Sequence, residues 1–133
     1  MFYIIVSVCY IIVSNRYYIL VEEQMKQTQL LKGILEGCVL SVLLEEKTYG
    51  YELVQQLIQS GFTDLSAGTV YPLLQKLEKQ GMIAGELLPS PDGPNRKYYS
   101  VTSDGQERLK EFEEQWLNLS QIVNHIIKKE QEK

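Results

Sequence analysis

The side chains in this sequence best placed to do chemistry are hydrogen-bond donors, gathered at the front of one helical pattern. The stretch Ser66-Ala67-Gly68-Thr69-Val70-Tyr71-Pro72 sets two hydroxyls and a phenol among small residues. Val70, Leu73, Leu74 and Leu77 follow at helical spacing, which predicts a helix with Ser66 as N-cap and Gly81 as its stop. Hydroxyls and the free backbone N–H groups of a helix start both donate to anionic oxygens such as those of phosphate. Ala67 and Gly68 would let a large partner approach closely. Pro72 has no N–H, so it leaves the Gly68 carbonyl without its helical partner. Two readings stand here: a helix tip pressed against phosphates and base edges, or an ordinary capped helix with a tolerated kink. Lys76 and Lys79 lie on or near the polar face of the same helix, and Asn95-Arg96-Lys97 form a second basic cluster.

Other chemistry finds little support. His125 is the only histidine, and Cys9 and Cys38 have neither metal-ligand spacing nor the number a disulfide framework needs. No nucleophile–base pair, paired carboxylate motif or glycine-rich phosphate loop occurs, so neither an enzyme nor a cofactor is expected. Cys38 reads as a buried filler. The 13 basic and 17 acidic residues give a formal net charge of −4, so any phosphate contact must come from a local basic edge on an acidic body. Much of the acid sits apart from that edge, at Glu107, Glu111, Glu113 and Glu114.

The donors need elements to hold them. Residues 1–24 differ from the remainder: an apolar run from Phe2 to Val13 falls short of the roughly 20 residues a spanning helix requires, and Arg16 interrupts its continuation. This segment is a membrane or interface anchor, an ordered addition to the domain, or an upstream extension with no part in the fold. So short a run favours the last, so a membrane partner is not expected. Two cysteines that form no disulfide framework place the chain in the reducing cytoplasm. A soluble pattern starts at Met25. Leu31, Ile34, Leu35, Cys38, Val42 and Leu43 predict a first helix capped by Thr28, with Gly33 and Gly37 allowing another backbone to come close. Leu53, Leu57 and Ile58 predict a second, capped by Thr48 and ended at Ser60-Gly61. The helix from Ser66 is the third.

Beyond Gly81 the period changes. "MIAGELL" and "RKYYSVT" read as strands around the turn-forming "PSPDGPN", a hairpin with a long polar tip that carries Asn95, Arg96 and Lys97. Thr102 caps a last helix running to about Lys129. Leu109, Phe112, Trp116, Leu119, Val123 and Ile126 recur at spacings of 3 and 4, widened by Ile122 and Ile127, which is an apolar seam of the coiled-coil kind. So long a seam at the end of a small domain predicts pairing with a second chain; folding back on its own domain is the alternative.

In order, these elements make a mainly α fold: a winged helix-turn-helix over residues 25–101, followed by a C-terminal dimerisation helix over residues 102–133. In such a fold the third helix enters the DNA major groove, about 12 Å wide. A winged module that binds protein instead of DNA is the competing reading, and the net acidity motivates it.

"LLKGILEGCVLSVLLEEKTYGYELVQQL", "LSAGTVYPLLQKLEKQGMI" and "GPNRKYYSVTSDGQERL" together resemble the PadR family of bacterial transcriptional regulators, over about Gln27 to Lys129. The single C-terminal helix is similar to that of the short subfamily. The resemblance implies a homodimeric repressor that leaves its double-stranded operator when a small aromatic or drug-like ligand binds. It places Tyr49, Gly50 and Tyr51 near the DNA backbone, Ser66, Thr69 and Tyr71 at the recognition-helix start, and Arg96 and Lys97 on the wing. It also implies that Trp116 stacks on flat ligands at the dimer centre; the bland alternative is that Trp116 only packs the interface.

Overall fold

The computed structural model describes residues 29–131, and the stretch Glu36–Lys133 forms one compact unit. The apolar segment 1–24 and the expected Thr28 cap lie outside the described residues. Helix α1 spans residues 29–45. It is followed by β1 (Thr48–Tyr49), α2 (Gly50–Gln59), α3 (Ala67–Lys79), β2 (Ile83–Ser90), β3 (Gly93–Val101) and α4 (Ser103–Gln131). The strands make one antiparallel sheet in the order β1-β3-β2.

Val39, Leu40 and Leu43 from α1, Leu53, Val54 and Leu57 from α2, and Val70, Leu74 and Leu77 from α3 are the buried stripes. Ile83, Tyr99 and Leu109 join them from the wing and from α4. The α1 stripe is turned from the expected one: Val39 and Leu40 are fully buried, while Cys38 and Val42 are half-buried. The helix is apolar on most of its circumference there, so spacing alone did not choose the inward face. The half-burial of Cys38 pushes its thiol pKa up.

Helices α2 and α3 end by the same device. Gly61 and Gly81 take positive φ, and the residues after them, Phe62 and Met82, donate back to the Leu57 and Leu77 carbonyls at 3.1 and 2.9 Å. This closes the open ends of α2 and α3 and turns the chain sharply. Thr102 then caps α4: its Oγ1 accepts from Gly105 N–H at 3.1 Å and donates to the Gly81 carbonyl at 2.6 Å. One side chain thereby fastens the start of α4 to the end of α3.

Thr48 is not the cap of α2. The chain at Thr48–Tyr49 is extended and pairs with Tyr99 and Tyr98 of β3, and the buried Thr48 hydroxyl has no partner among the described residues. A β-branched side chain suits that strand position, and the third strand ties the hairpin to the front of α2.

The wing also differs from expectation. Its strands run to a two-residue turn at Pro91-Asp92, with an irregularity between Leu88 and Ser90 that accommodates Pro89 on the edge strand β2. Leu88 pairs with Arg96 and Leu87 with Lys97. The basic residues therefore stand along β3 instead of at a long tip.

Candidate nucleic-acid interface

At the front of α3, Ser66 holds the N-cap position with extended backbone (φ −114°, ψ 156°) but makes no side-chain cap bond. Its Oγ lies 3.3 Å from Thr69 Oγ1, so the two hydroxyls face one another at the helix tip. Ser66, Ala67 and Gly68 are exposed, Thr69 is half-buried, and the first turn carries no acidic residue. The helix start consequently presents backbone donors, two hydroxyls and the positive end of the helix dipole with no carboxylate on its own turn to oppose them.

Tyr71 and the Tyr49-Gly50 junction meet directly. A Cβ at position 50 would lie 2.6 Å from Tyr71 Cε1, so the ring occupies the space that only a glycine leaves. Tyr49 in turn sits edge-on to Tyr98, with ring centroids 5.4 Å apart, and the Arg96 guanidinium lies 4.5 Å from the Tyr49 ring centroid. Stacking on an aromatic face orients a guanidinium without consuming its outward donors. The fronts of α2 and α3 and the middle of β3 are thus joined through Gly50, Tyr71, Tyr49 and Arg96, and Tyr51 stands exposed beside them.

Two of the basic residues are not part of that group. Lys97 Nζ binds Glu78 Oε1 at 2.7 Å and lies over the Tyr99 ring. The hydrogen bond to Glu78 raises the Lys97 pKa, with desolvation opposing it less strongly, while burial raises the pKa of the Tyr99 phenol. Lys76 sits about 15 Å along α3 from Ser66 and 3.9 Å from Glu36 Oε2. Asn95 is exposed on β3. Gln75, which no motif singles out, shares the outward face of α3 with Gly68, Pro72 and Lys79. It is found by taking the face opposite Val70, Leu74 and Leu77.

The predicted seam of α4 divides. Leu109 is only 4% exposed within the single chain, and Phe112 is half-buried against Gly37 of α1. Both pack toward the domain's own core within the single chain. From Trp116 on, the stripe is open: Trp116, Leu119, Ile122, Val123, Ile126 and Ile127 are all about half exposed. Among the described residues no helix is long and apolar enough to cross a membrane, and no group of His, Cys, Asp or Glu is arranged to hold a metal ion.

Three helices, a short third strand and a two-stranded wing, with a long helix appended, define a winged helix-turn-helix protein. The model of the transcriptional regulator PadR-like family matches residues 39–111, more than half of the sequence. The chain belongs to the PadR-like family, whose members are transcriptional regulators and not enzymes. It is similar to the crystal structure of a Streptococcus transcriptional regulator, at 56% identity and a TM-score of 0.68, over 74% of this chain and 96% of that one. A PadR-like regulator from Bacillus cereus matches at 46% identity and a TM-score of 0.69, over 74% and 96% of the two chains. A PadR family regulator from Eggerthella lenta matches at 37% identity and a TM-score of 0.70, over 84% and 96%. An uncharacterized protein of Lysinibacillus sphaericus is 30% identical over 102 residues, 75% of this chain and 94% of that protein.

Proposed function

We propose that the protein is a homodimeric, cytoplasmic DNA-binding repressor, released from its operator by a small aromatic or drug-like ligand. The observation that carries the reading is the front of α3: exposed, with no acidic residue in its first turn, with hydroxyls that cap nothing, and flanked by Arg96 on the wing. Ser66, Thr69, Tyr71 and the backbone at Gly68 meet phosphates where the helix enters the major groove; Gln75 and Lys79 face the bases and the far strand. Tyr49, Gly50 and Tyr51 bring the front of α2 to the backbone, and Arg96 and Asn95 carry the wing to the neighbouring groove. Lys76 adds positive charge at the rear of the helix. Lys97 serves by holding the wing on Glu78.

The open stripe of α4 joins two copies about a two-fold axis, which sets the two α3 helices on half-sites about one turn of DNA apart. Trp116 lies where the stripe opens, and its ring gives a flat ligand a stacking surface and one N–H donor. The competing reading, a winged module for protein contact, draws on the net charge of −4.

Selecting duplexes from random DNA with the purified chain tests the reading. A palindromic site bound with strong salt dependence is expected, and planar aromatic compounds should change Trp116 fluorescence as they release the DNA. A chain that selects no sequence and is monomeric at micromolar concentration would sink it.

A further inference from the structure

One carboxylate touches both of the working helices. Glu36 of α1 accepts from Arg108 of α4 at 2.7 Å through Oε1 and faces Lys76 of α3 at 3.9 Å through Oε2. Arg108 also reaches Gln80, the residue closing α3, at 3.4 Å. The Glu36 side chain is 21% exposed, so water competes for it less than for an ordinary surface pair. One residue on, Phe112 fills the space that Gly37 leaves by having no side chain, and Leu109 is buried. Arg108, Leu109 and Phe112 therefore clamp the base of α4, and the open stripe begins at Trp116, the next turn along.

We infer that Glu36 is a positioning residue for operator recognition: by holding Arg108 and Lys76 together it fixes the angle between α4 and α3, and so the half-site spacing the dimer accepts. The inference rests on the dimeric DNA-binding reading above. Helix α4 is a lever. Beyond Phe112, α4 continues for about 28 Å at 1.5 Å per residue, and only its base is attached to the domain. Packing between apolar residues such as Leu109 and Phe112 resists separation but is tolerant of small rotations. A charge-assisted hydrogen bond at 2.7 Å restrains direction as well as distance. If two stripes pair, any freedom at each base appears doubled in the separation and rotation of the two α3 helices. A step of one base pair moves a half-site by only about 3.4 Å and about 35°. The clamp is what keeps the dimer from following such a step.

The test uses the full chain and duplexes carrying two copies of its selected half-site, at the selected spacing and at one and two base pairs either side. For the wild type, displacement by one base pair should cost at least about tenfold in affinity, because the second half-site is carried out of register with its bases. Glu36→Gln and Arg108→Gln should each shrink that ratio to below about threefold, and the double variant should be no flatter than either single one. Lower stability alone cannot produce this result, since a smaller folded fraction weakens binding to every spacing equally. Sedimentation of each variant establishes that it is still dimeric; should Glu36→Gln not fold, Arg108→Gln and Arg108→Lys carry the comparison, with lysine retaining most of the wild-type selectivity. Variant profiles superimposable on a selective wild-type profile overturn the role of Glu36 while leaving the dimeric reading intact. An equally flat profile in the wild type overturns it as well. A wild type that binds none of the duplexes overturns the reading beneath both.

Discussion

Lys97 on β3 reaches across the edge strand β2 to Glu78 on α3, and the two side chains meet over the bare backbone of Gly85. A side chain at position 85 would collide with both the Lys97 stem and the Glu78 carboxylate, so the glycine is what lets the bridge form. The ion pair thus links the wing to α3. Lys97→Met should weaken operator binding a few-fold while leaving the slope of log affinity against log salt unchanged. Arg96→Ala should reduce that slope by about 0.9 for each phosphate the arginine no longer neutralises, so by roughly 1.8 in a two-fold dimer. A slope reduced equally by both substitutions would make Lys97 a phosphate ligand and refute the tether.

Lys97 and the Tyr99 ring beneath it bear on alkaline stability. In the folded chain Lys97 is raised above its usual 10.5 by its bond to Glu78, and Tyr99 above its usual 10.0 by burial. A raised pKa means the folded state holds its proton more tightly than the unfolded one. The associated stability is complete below the unfolded values and is lost as pH climbs through the folded ones. The urea midpoint should accordingly hold steady to about pH 9 and then decline. Tyr99→Phe keeps the ring and removes its ionisation, so its decline above about pH 10 should be shallower than that of the wild type. A steeper decline would contradict the sign.

Ser66 and Thr102 both precede helices, and only one of them works as a cap. Thr102 Oγ1 accepts from Gly105 N–H and donates to the end of α3, whereas Ser66 Oγ makes no bond to its own helix backbone. Thr102→Ala should therefore cost about 1–2 kcal/mol in chemical denaturation, and Ser66→Ala less than about 0.5 kcal/mol. DNA affinity should follow the opposite order once folded fractions are matched. An unstable but fully binding Ser66→Ala would return this hydroxyl to plain helix capping.

What the sequence made legible follows the range of the interactions involved. Gly81 and Thr102 were readable because a helix stop and a cap are settled within a few residues, and the α3 stripe because Val70, Leu74 and Leu77 repeat locally. The pairing of Thr48–Tyr49 with β3 was not, since two residues hold no periodicity and their partners lie far along the chain. The fate of Lys97 was hidden for the same reason: Glu78 is 19 positions away, and bringing them together depends on hairpin register. Of the candidate interface, the α3 front and its hydroxyls were visible as residue types. The contact of Tyr71 with Gly50 and the stacking of Arg96 on Tyr49 needed the packed fold.

The α4 stripe illustrates the same limit and supplies the last prediction. Leu109 and Val123 belong to one unbroken pattern of spacings, because an apolar side chain looks identical whether its own domain or another chain will cover it. The structure separates them: Leu109 is 4% exposed and Val123 is 50% exposed in the single chain. Leu109→Ala leaves a cavity in the core and should destabilise the fold by about 2–5 kcal/mol while the chains that remain folded still pair. Val123→Glu touches no intrachain core, so the monomer should fold as before. Its carboxylate would be brought against its symmetry mate in a paired stripe, where two like charges lose water together. Sedimentation should then show a monomer, and operator affinity should fall by at least about a hundredfold, because each winged domain is left to bind a single half-site. A dimer that survives Val123→Glu unchanged would move the interface off this stripe.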